Sequence, residues 1–216
     1  GLGKLLAGLE VQGVSGSTDT TITGITYDSR RAKPGNLFVC IEGFRQDGHD
    51  FIPEAIEKGC TAVVVKKDVP VPEGVTLVRV PDTRLALAHL AAAFYHHPSR
   101  KLRLIGVTGT NGKTTTTHLI AAILREAGYK IGLIGTIHNR IGEETFPVER
   151  TTPEALDLQE LFFRMVEAGV DYCVMEVSSH ALSLQRVAYS EFDLGVFTNI
   201  SQDHLDFHQT LDDYLA

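Results

Sequence analysis

The strongest constraint on the fold of this chain is a strand, a glycine-rich turn and a helix that follow one another without interruption. The apolar run LRLIGVT (102–108) leads into GTNGKTT (109–115), and HLIAAILREAG (118–128) then carries apolar residues at helical spacing. Continuously apolar strands are typical of a parallel sheet that is buried on both faces. The succession therefore predicts an α/β domain with the glycine turn at the carboxyl edge of its sheet.

The turn has the composition of a phosphate-binding loop. Glycines at 109 and 112 let successive backbone N–H groups surround phosphate oxygens, and the start of a helix adds favourable potential for an anion. Lys113 can supply a point charge to the β- and γ-phosphates, and the hydroxyl of Thr114 can reach a magnesium ion. The general pattern G-x-x-x-x-G-K-[ST] fails at Val107, where it requires glycine. A turn without a ligand and a generic P-loop kinase or GTPase therefore remain alternatives.

The rest of the chain alternates strand patterns with helical patterns, as expected for an α/β protein. Strands are predicted at 21–28, 36–43, 61–67, 75–80, 130–137, 171–177 and 192–200, and further helices at 82–97 and 152–169. Asp82 and Thr152 are candidate N-caps of those two helices. The helix after the glycine turn is predicted to bury one face, formed by Leu119, Ile120, Ile123, Leu124 and Ala127. The polar stretch HHPSRK predicts a boundary near 98–101, and hence domains at 1–99 and 100–216.

Composition excludes several classes of function. Twenty basic residues against 27 acidic ones give a net charge of −7, which argues against a general binder of nucleic acid or membrane surfaces. No apolar run approaches the ~20 residues that span a bilayer, and the first residues lack the pattern of a secretory signal, so a cytoplasmic protein is expected. Cys40, Cys60 and Cys173 lie far apart beside apolar runs, which predicts buried, reduced thiols.

Five segments in order carry a resemblance to a known family. TGTNGKTTT (108–116), in place of the ordinary P-loop, resembles the Mur ligases, a superfamily of ATP-dependent amide-bond-forming enzymes that includes folylpolyglutamate synthases. The segment 27–65 resembles the N-terminal domain that holds the UDP-sugar in the third and fourth ligases of the muramyl pathway. ERTTPEALDLQ (149–159), MEVSSHALSLQRV (175–187) and VFTNISQDHLDFH (196–208) resemble the members that act third in the muramyl pathway. The resemblance implies a mixed α/β UDP-sugar-binding domain followed by a P-loop domain with a mostly parallel sheet.

The resemblance also implies a reaction. In that family, ATP phosphorylates the terminal carboxylate of UDP-N-acetylmuramoyl-L-alanyl-D-glutamate, and a diamino acid, meso-diaminopimelate or L-lysine, attacks the acyl phosphate. We therefore expect a ligase of cytoplasmic peptidoglycan precursor synthesis that uses ATP and Mg²⁺ and serves cell wall biogenesis, cell shape and cell division. Because family members have a third domain that binds the diamino acid, we expect these 216 residues to be the N-terminal part of a longer ligase, inactive alone. A non-catalytic nucleotide-binding module and a folylpolyglutamate synthase-like ligase are the alternatives.

Site residues follow from the resemblance, position by position. The ATP loop falls on Gly109, Thr110, Asn111, Gly112, Lys113, Thr114 and Thr115. Catalytic roles fall on Lys113, Glu176 and His204; Glu176 shares one magnesium ion with Thr114, and His204 binds a second. Residues that bind the UDP-sugar peptide are Tyr27, Ser29, Phe44, Arg45, Gln46, Thr151, Thr152, Ser178 and Arg186. Structural roles compete at some of these positions: Ser29 could shape a turn, Thr152 could cap a helix, and Arg186 could pair with a surface acid.

Overall fold

The computed structural model describes residues 1–43, 46–148 and 150–201. The chain divides into two compact units, Gly1–Phe94 and Tyr95–Ala216. The predicted boundary near 98–101 coincides with a short 3-10 helix, Pro98–Lys101, which contacts a helix of the second unit and belongs to it. Among the described residues, no helix combines the length and apolar character needed to cross a membrane.

The first unit is a five-stranded sheet with helices. Its strands are β1 Gly13–Ser15, β2 Gly24–Thr26, β3 Asn36–Val39, β4 Ala62–Val65 and β5 Thr76–Arg79, and its helices are α1 Leu2–Leu6, α2 Ile52–Glu57 and α3 Thr83–Phe94. The strand order is β1-β5-β4-β3-β2, with β1 antiparallel to β5 and the other pairs parallel. The central strands β3 and β4 are buried along their whole length, as their apolar sequences predict.

Helix α3 confirms one predicted cap. The side chain of Asp82 accepts hydrogen bonds from the N–H groups of Arg84, at 2.8 Å, and Leu85, at 3.1 Å. These bonds satisfy donors that the first turn of a helix leaves without a partner. The helix ends at Phe94, four residues before Pro98.

The second unit is a six-stranded sheet. Its strands are β6 Arg103–Thr108, β7 Ile131–Ile134, β8 Asn139–Ile141, β9 Glu144–Phe146, β10 Tyr172–Glu176 and β11 Leu194–Phe197, and its helices are α4 Lys113–Glu126, α5 Ala155–Glu167 and α6 Ser179–Ser183. The order is β11-β6-β10-β7-β8-β9, and the first four of these strands are mutually parallel. The antiparallel strands β8 and β9 at the sheet edge were not predicted, because they are short and polar.

The parallel register defines where the candidate site lies. Glu176 at the end of β10 pairs with Val107, one residue before the end of β6. β7 lies on the other side of β10 and also ends at this edge. The residues that follow β6, β7 and β10 therefore meet at the carboxyl edge of the sheet, where ligands of parallel α/β sheets bind.

The predicted buried face of α4 is partly wrong. Ile120 and Leu124 pack on the sheet, whereas Leu119 and Ile123 are 60% and 68% exposed. Ala127, the C-cap of the helix, is exposed as well. The inward face instead includes Thr117, which is buried and lies one turn before Ile120. Two neighbouring apolar stripes run along this helix, and only contact with the sheet decides which of them is buried.

The start of α5 also differs from the prediction. The helix begins at Ala155, and its N-cap is Glu154 rather than Thr152. The hydroxyl of Thr152 donates to the carbonyl oxygen of Glu176 at 2.9 Å and accepts from the N–H of Ser178 at 3.2 Å. Thr152 thus ties the segment before α5 to the end of β10.

The three cysteines are free and buried, which confirms the prediction of reduced core thiols. Burial raises the pKa of the Cys60 thiol to about 11, and it also raises the pKa of Cys40 and Cys173. Thiols held in the neutral form are poor nucleophiles and poor metal ligands, so these residues contribute to packing.

Candidate functional site

The glycine loop between β6 and α4 requires glycine at two positions. Gly109 has a φ of 128°, and a Cβ there would overlap the hydroxyl of Thr198. Gly112 has a φ of 84° and forms the N-cap of α4. Side-chain-bearing residues rarely adopt either conformation, so these glycines permit the tight turn.

The segment after β11 supports the loop. The N–H of Thr110 donates to the carbonyl oxygen of Asn199 at 2.9 Å. The N–H of Asn111 donates to the side-chain oxygen Oδ1 of Asn199 at 3.1 Å. The hydroxyl of Thr198 donates to the carbonyl oxygen of Asn111 at 2.8 Å. These two loop amides therefore bind protein. The first helical hydrogen bond of α4 runs from the N–H of Thr116 to the carbonyl oxygen of Gly112 at 2.9 Å. The N–H groups before it, from Lys113 to Thr115, are therefore the donors suited to an anion.

Lys113 places its charge over this loop. Its Nζ donates to the carbonyl oxygens of Gly109, at 2.6 Å, and Thr110, at 3.0 Å. These contacts hold the ammonium group beside the N-terminus of α4. The ammonium group and the helix N-terminus both favour a negatively charged ligand.

Glu176 lies in a cradle of oxygen and nitrogen donors. Its side chain is 1% exposed, and its Oε2 accepts from the hydroxyls of Thr114, at 3.0 Å, and Thr136, at 3.1 Å. Its Oε1 accepts from the N–H of Thr136 at 2.9 Å. A Cβ at Gly135 would overlap this oxygen, so the close approach needs glycine. A carboxylate beside a hydroxyl is a hard-oxygen donor set, which fits Mg²⁺.

These groups open on one cavity of about 450 Å³. Its lining residues are Thr110, Asn111, Gly112, Lys113, Thr114, Thr136, Thr151, Thr152, Glu176, Ser178, His180 and Arg186. All of them except Thr136 and His180 were predicted from the sequence. Thr136 follows β7 at the carboxyl edge, so its position after an apolar strand was the available signal. His180 stands in the segment SSHAL, beside the predicted Ser178.

A different wall of the cavity carries the predicted substrate residues of this unit. Ser178 caps α6, with its side-chain oxygen accepting from the N–H of Ala181 at 3.2 Å. Arg186 pairs with Glu154 at 2.9 Å, and because Glu154 is buried and Arg186 is largely buried, the pair is not a surface contact. Thr151 contacts Thr136 at 3.1 Å between hydroxyl oxygens.

Comparison with known proteins places the chain in a family. Residues 107–216 match the Mur ligase middle domain, and residues 21–95 match the catalytic domain of the Mur ligase family. The chain belongs to the Mur ligase family.

Its curated relatives within the Mur ligases agree on one enzyme. The chain is 53% identical to the UDP-N-acetylmuramoyl-L-alanyl-D-glutamate--2,6-diaminopimelate ligase of Alkaliphilus metalliredigens, over 97% of this chain and 42% of the relative. It is 49% identical to the ligase of the same name from Clostridium perfringens, over 99% of this chain and 44% of the relative. The chain thus spans less than half the length of these relatives.

Solved Mur ligase structures share the fold. A structure of a UDP-N-acetylmuramoyl-L-alanyl-D-glutamate--2,6-diaminopimelate ligase is 29% identical and has a TM-score of 0.76, covering 89% of this chain and 39% of that one. The MurF ligase from Thermotoga maritima, solved in complex with ADP, has a TM-score of 0.61 at 23% identity, over 91% of this chain and 41% of that one. The second likeness concerns the fold alone.

The predicted substrate residues of the first unit that the structure describes make contacts within that unit. The hydroxyl of Ser29 donates to Oε2 of Glu54 at 2.6 Å. Tyr27 is half-buried, and Gln46 is exposed, with its carbonyl oxygen accepting from the N–H of Gly43 at 2.9 Å. Three predicted site residues lie outside the described part of the chain: Phe44, Arg45 and His204.

Proposed function

We propose that this chain forms the nucleotide-binding and acceptor-binding part of an ATP-dependent ligase that extends UDP-N-acetylmuramoyl-L-alanyl-D-glutamate by a diamino acid. The observation that carries the proposal is the shared cavity, in which the glycine loop and Glu176 adjoin Arg186 and Ser178. Such an arrangement lets the γ-phosphate of a nucleoside triphosphate lie next to the carboxylate of an acidic acceptor. The names of the relatives support 2,6-diaminopimelate as the diamino acid.

The nucleotide end of the site binds phosphate oxygens. On binding, the ammonium group of Lys113 exchanges the loop carbonyls at 2.6 and 3.0 Å for phosphate oxygens. Thr114 and Glu176 would hold Mg²⁺, and a second ion on His204 stays a prediction. When bound, Mg²⁺ supplies positive charge that screens the repulsion between the phosphates and the incoming carboxylate.

The acceptor end binds the substrate carboxylate. Arg186 supplies a planar donor set suited to carboxylate or phosphate, and the hydroxyls of Thr151 and Ser178 line the same space. A carboxylate oxygen held there attacks the γ-phosphorus, the bond from that phosphorus to the β–γ bridging oxygen breaks, and ADP leaves. The amine of the diamino acid then displaces phosphate from the acyl phosphate, forming the amide. Both steps belong to the cytoplasmic synthesis of peptidoglycan precursors.

Binding measurements test the proposal. We expect UDP-N-acetylmuramoyl-L-alanyl-D-glutamate to raise the Tm of the chain, and Mg·ADP to raise it further. UDP-N-acetylglucosamine serves as the control for recognition of UDP alone, and a pterin substrate tests the folylpolyglutamate alternative. Stabilisation by nucleotide but by none of the other three ligands would indicate a nucleotide-binding module and contradict the proposal. We expect no ligation by the 216-residue chain alone.

A further inference from the structure

Arg186, which lines the cavity, contacts a buried acidic residue, Glu154. Its side chain is 7% exposed, and its Oε1 lies 2.9 Å from Nη2 of Arg186, whose side chain is 12% exposed. Nη1 of Arg186 donates to the carbonyl oxygen of Thr152 at 3.2 Å. Two bonds from different nitrogens hold the guanidinium in one plane. Because burial of a carboxylate is costly unless it is paired, this contact is a built feature of the site.

A second arginine shares the same carboxylate oxygen. Nη1 of Arg150 contacts Oε1 of Glu154, and the Arg150 side chain is 53% exposed. Glu154 thus receives one contact from the exposed guanidinium of Arg150 and one from the largely buried guanidinium of Arg186.

We propose that Glu154 is a positioning residue, which orients the guanidinium of Arg186 for the acidic substrate. The proposal rests on the proposed function and adds a residue to it. Carboxylate and phosphate recognition by arginine depends on the orientation of the planar fork, so loss of the orienting partner weakens binding even though the local charge becomes more positive.

Two variants distinguish a role of Glu154 in orienting Arg186 from an effect of its charge alone. Glu154→Gln removes a negative charge, so an effect of charge alone would strengthen binding of the anionic substrate, whereas loss of orientation weakens it. Arg150→Gln, the matched control, removes a positive charge, so charge alone would weaken binding. If orientation dominates, Arg150→Gln has little effect, because an exposed charge is screened.

The experiment is calorimetric titration of the 216-residue chain with UDP-N-acetylmuramoyl-L-alanyl-D-glutamate. We expect the Kd to rise about tenfold for Glu154→Gln and to change less than about twofold for Arg150→Gln. The Kd for Mg·ADP should stay within about twofold in both variants, which checks that the loop region is intact. Unchanged or tighter substrate binding by folded Glu154→Gln overturns the proposal.

A double-mutant cycle separates positioning from general destabilisation. In an Arg186→Ala background, Glu154→Gln should cause no further loss of substrate affinity, and an equal additional loss overturns the proposal. If Glu154→Gln loses its thermal transition, Glu154→Asp replaces it, with a smaller rise in Kd expected and an unchanged Kd counting against the proposal. Failure of the unmodified chain to bind the substrate overturns the proposed function, and this inference with it.

Discussion

In the second unit, polar residues that follow β6, β7 and β10 line one cavity, whereas in the first unit the predicted Ser29 is hydrogen-bonded to Glu54 at 2.6 Å. The carboxyl edge of the second sheet assembles a site because parallel strands deliver their last residues to one place. Among the predicted residues of the first unit that the structure describes, Ser29 begins a short 3-10 helix, Ser29–Arg31, and a neighbouring side chain, Glu54, accepts its hydroxyl. Tyr27 and Gln46 lie outside helices and strands. Sheet topology therefore brings distant residues together more dependably than loops do.

Lys113→Ala tests the first side of this comparison and has the largest expected effect. The variant removes the ammonium group from the N-terminus of α4, and we expect the Kd for Mg·ADP to rise about 100-fold, since charge-assisted bonds to phosphate are lost. Titration with Mg·ADP measures the change, and the exposed Lys101→Ala serves as the control. The Lys113→Ala variant should retain its affinity for the UDP-sugar substrate. An unaltered affinity for Mg·ADP would contradict a role of the loop in binding phosphate.

Gly135→Ala tests the cradle around Glu176. The added Cβ overlaps Oε1 of Glu176, so the carboxylate has to move away from Thr114. We expect roughly a tenfold loss of affinity for Mg·ADP, and a smaller loss for ADP in the presence of a chelator. Gly195→Ala is the matched control, because nothing lies within 4 Å of a Cβ at that position. Equal losses with and without Mg²⁺ would argue against a metal role for Glu176.

Ser29→Ala tests the second side of the comparison. Loss of the hydroxyl removes a donor from Glu54, and we expect the Tm to fall by roughly a few degrees, measured by thermal denaturation. Glu54→Gln should reduce the effect of the serine variant, because the two residues then no longer form the same bond. An unchanged Tm together with weaker substrate binding would show that Ser29 serves the ligand instead.

Acid denaturation provides the smallest expected signal and concerns Asp47 in the first unit. Although burial raises its pKa, hydrogen bonds from Lys67 and His49 hold the pKa of Asp47 below its ordinary value of 3.8. The ionised carboxylate therefore adds stability that is present above pH 3.8 and is lost as the pH falls through the folded-state pKa.

We accordingly expect Asp47→Asn to be less stable than the unmodified chain at neutral pH, with the difference shrinking as the pH falls below 3.8. Chemical denaturation at a series of pH values measures this difference. A difference that stays constant over the acid range would mean that Asp47 contributes through its shape rather than its charge.

Much of the second unit was predictable because its signals are local. The apolar runs of β6, β7 and β10 and the glycine loop indicated a parallel sheet, and the parallel register of β10 with β6 and β7 agrees. The polar hairpin of β8 and β9 lacks a hydrophobic pattern, since each strand is short and lies at or next to the sheet edge. The cap of α5 was misassigned because Thr152 has the residue type of a cap but finds a tertiary partner at Glu176.

The amino-acid sequence by itself determined the α/β class, the glycine loop with Lys113 and Thr114, and the family. Strand burial and turn conformation depend on neighbouring residues, and the family motifs are runs of consecutive residues. Only the tertiary structure decided which stripe of α4 is buried, that Glu176 rests against Gly135 and Thr136, and that Glu154 holds Arg186. These contacts join residues far apart in the chain, and their energies depend on burial and orientation, which arise only when the sheet and helices pack.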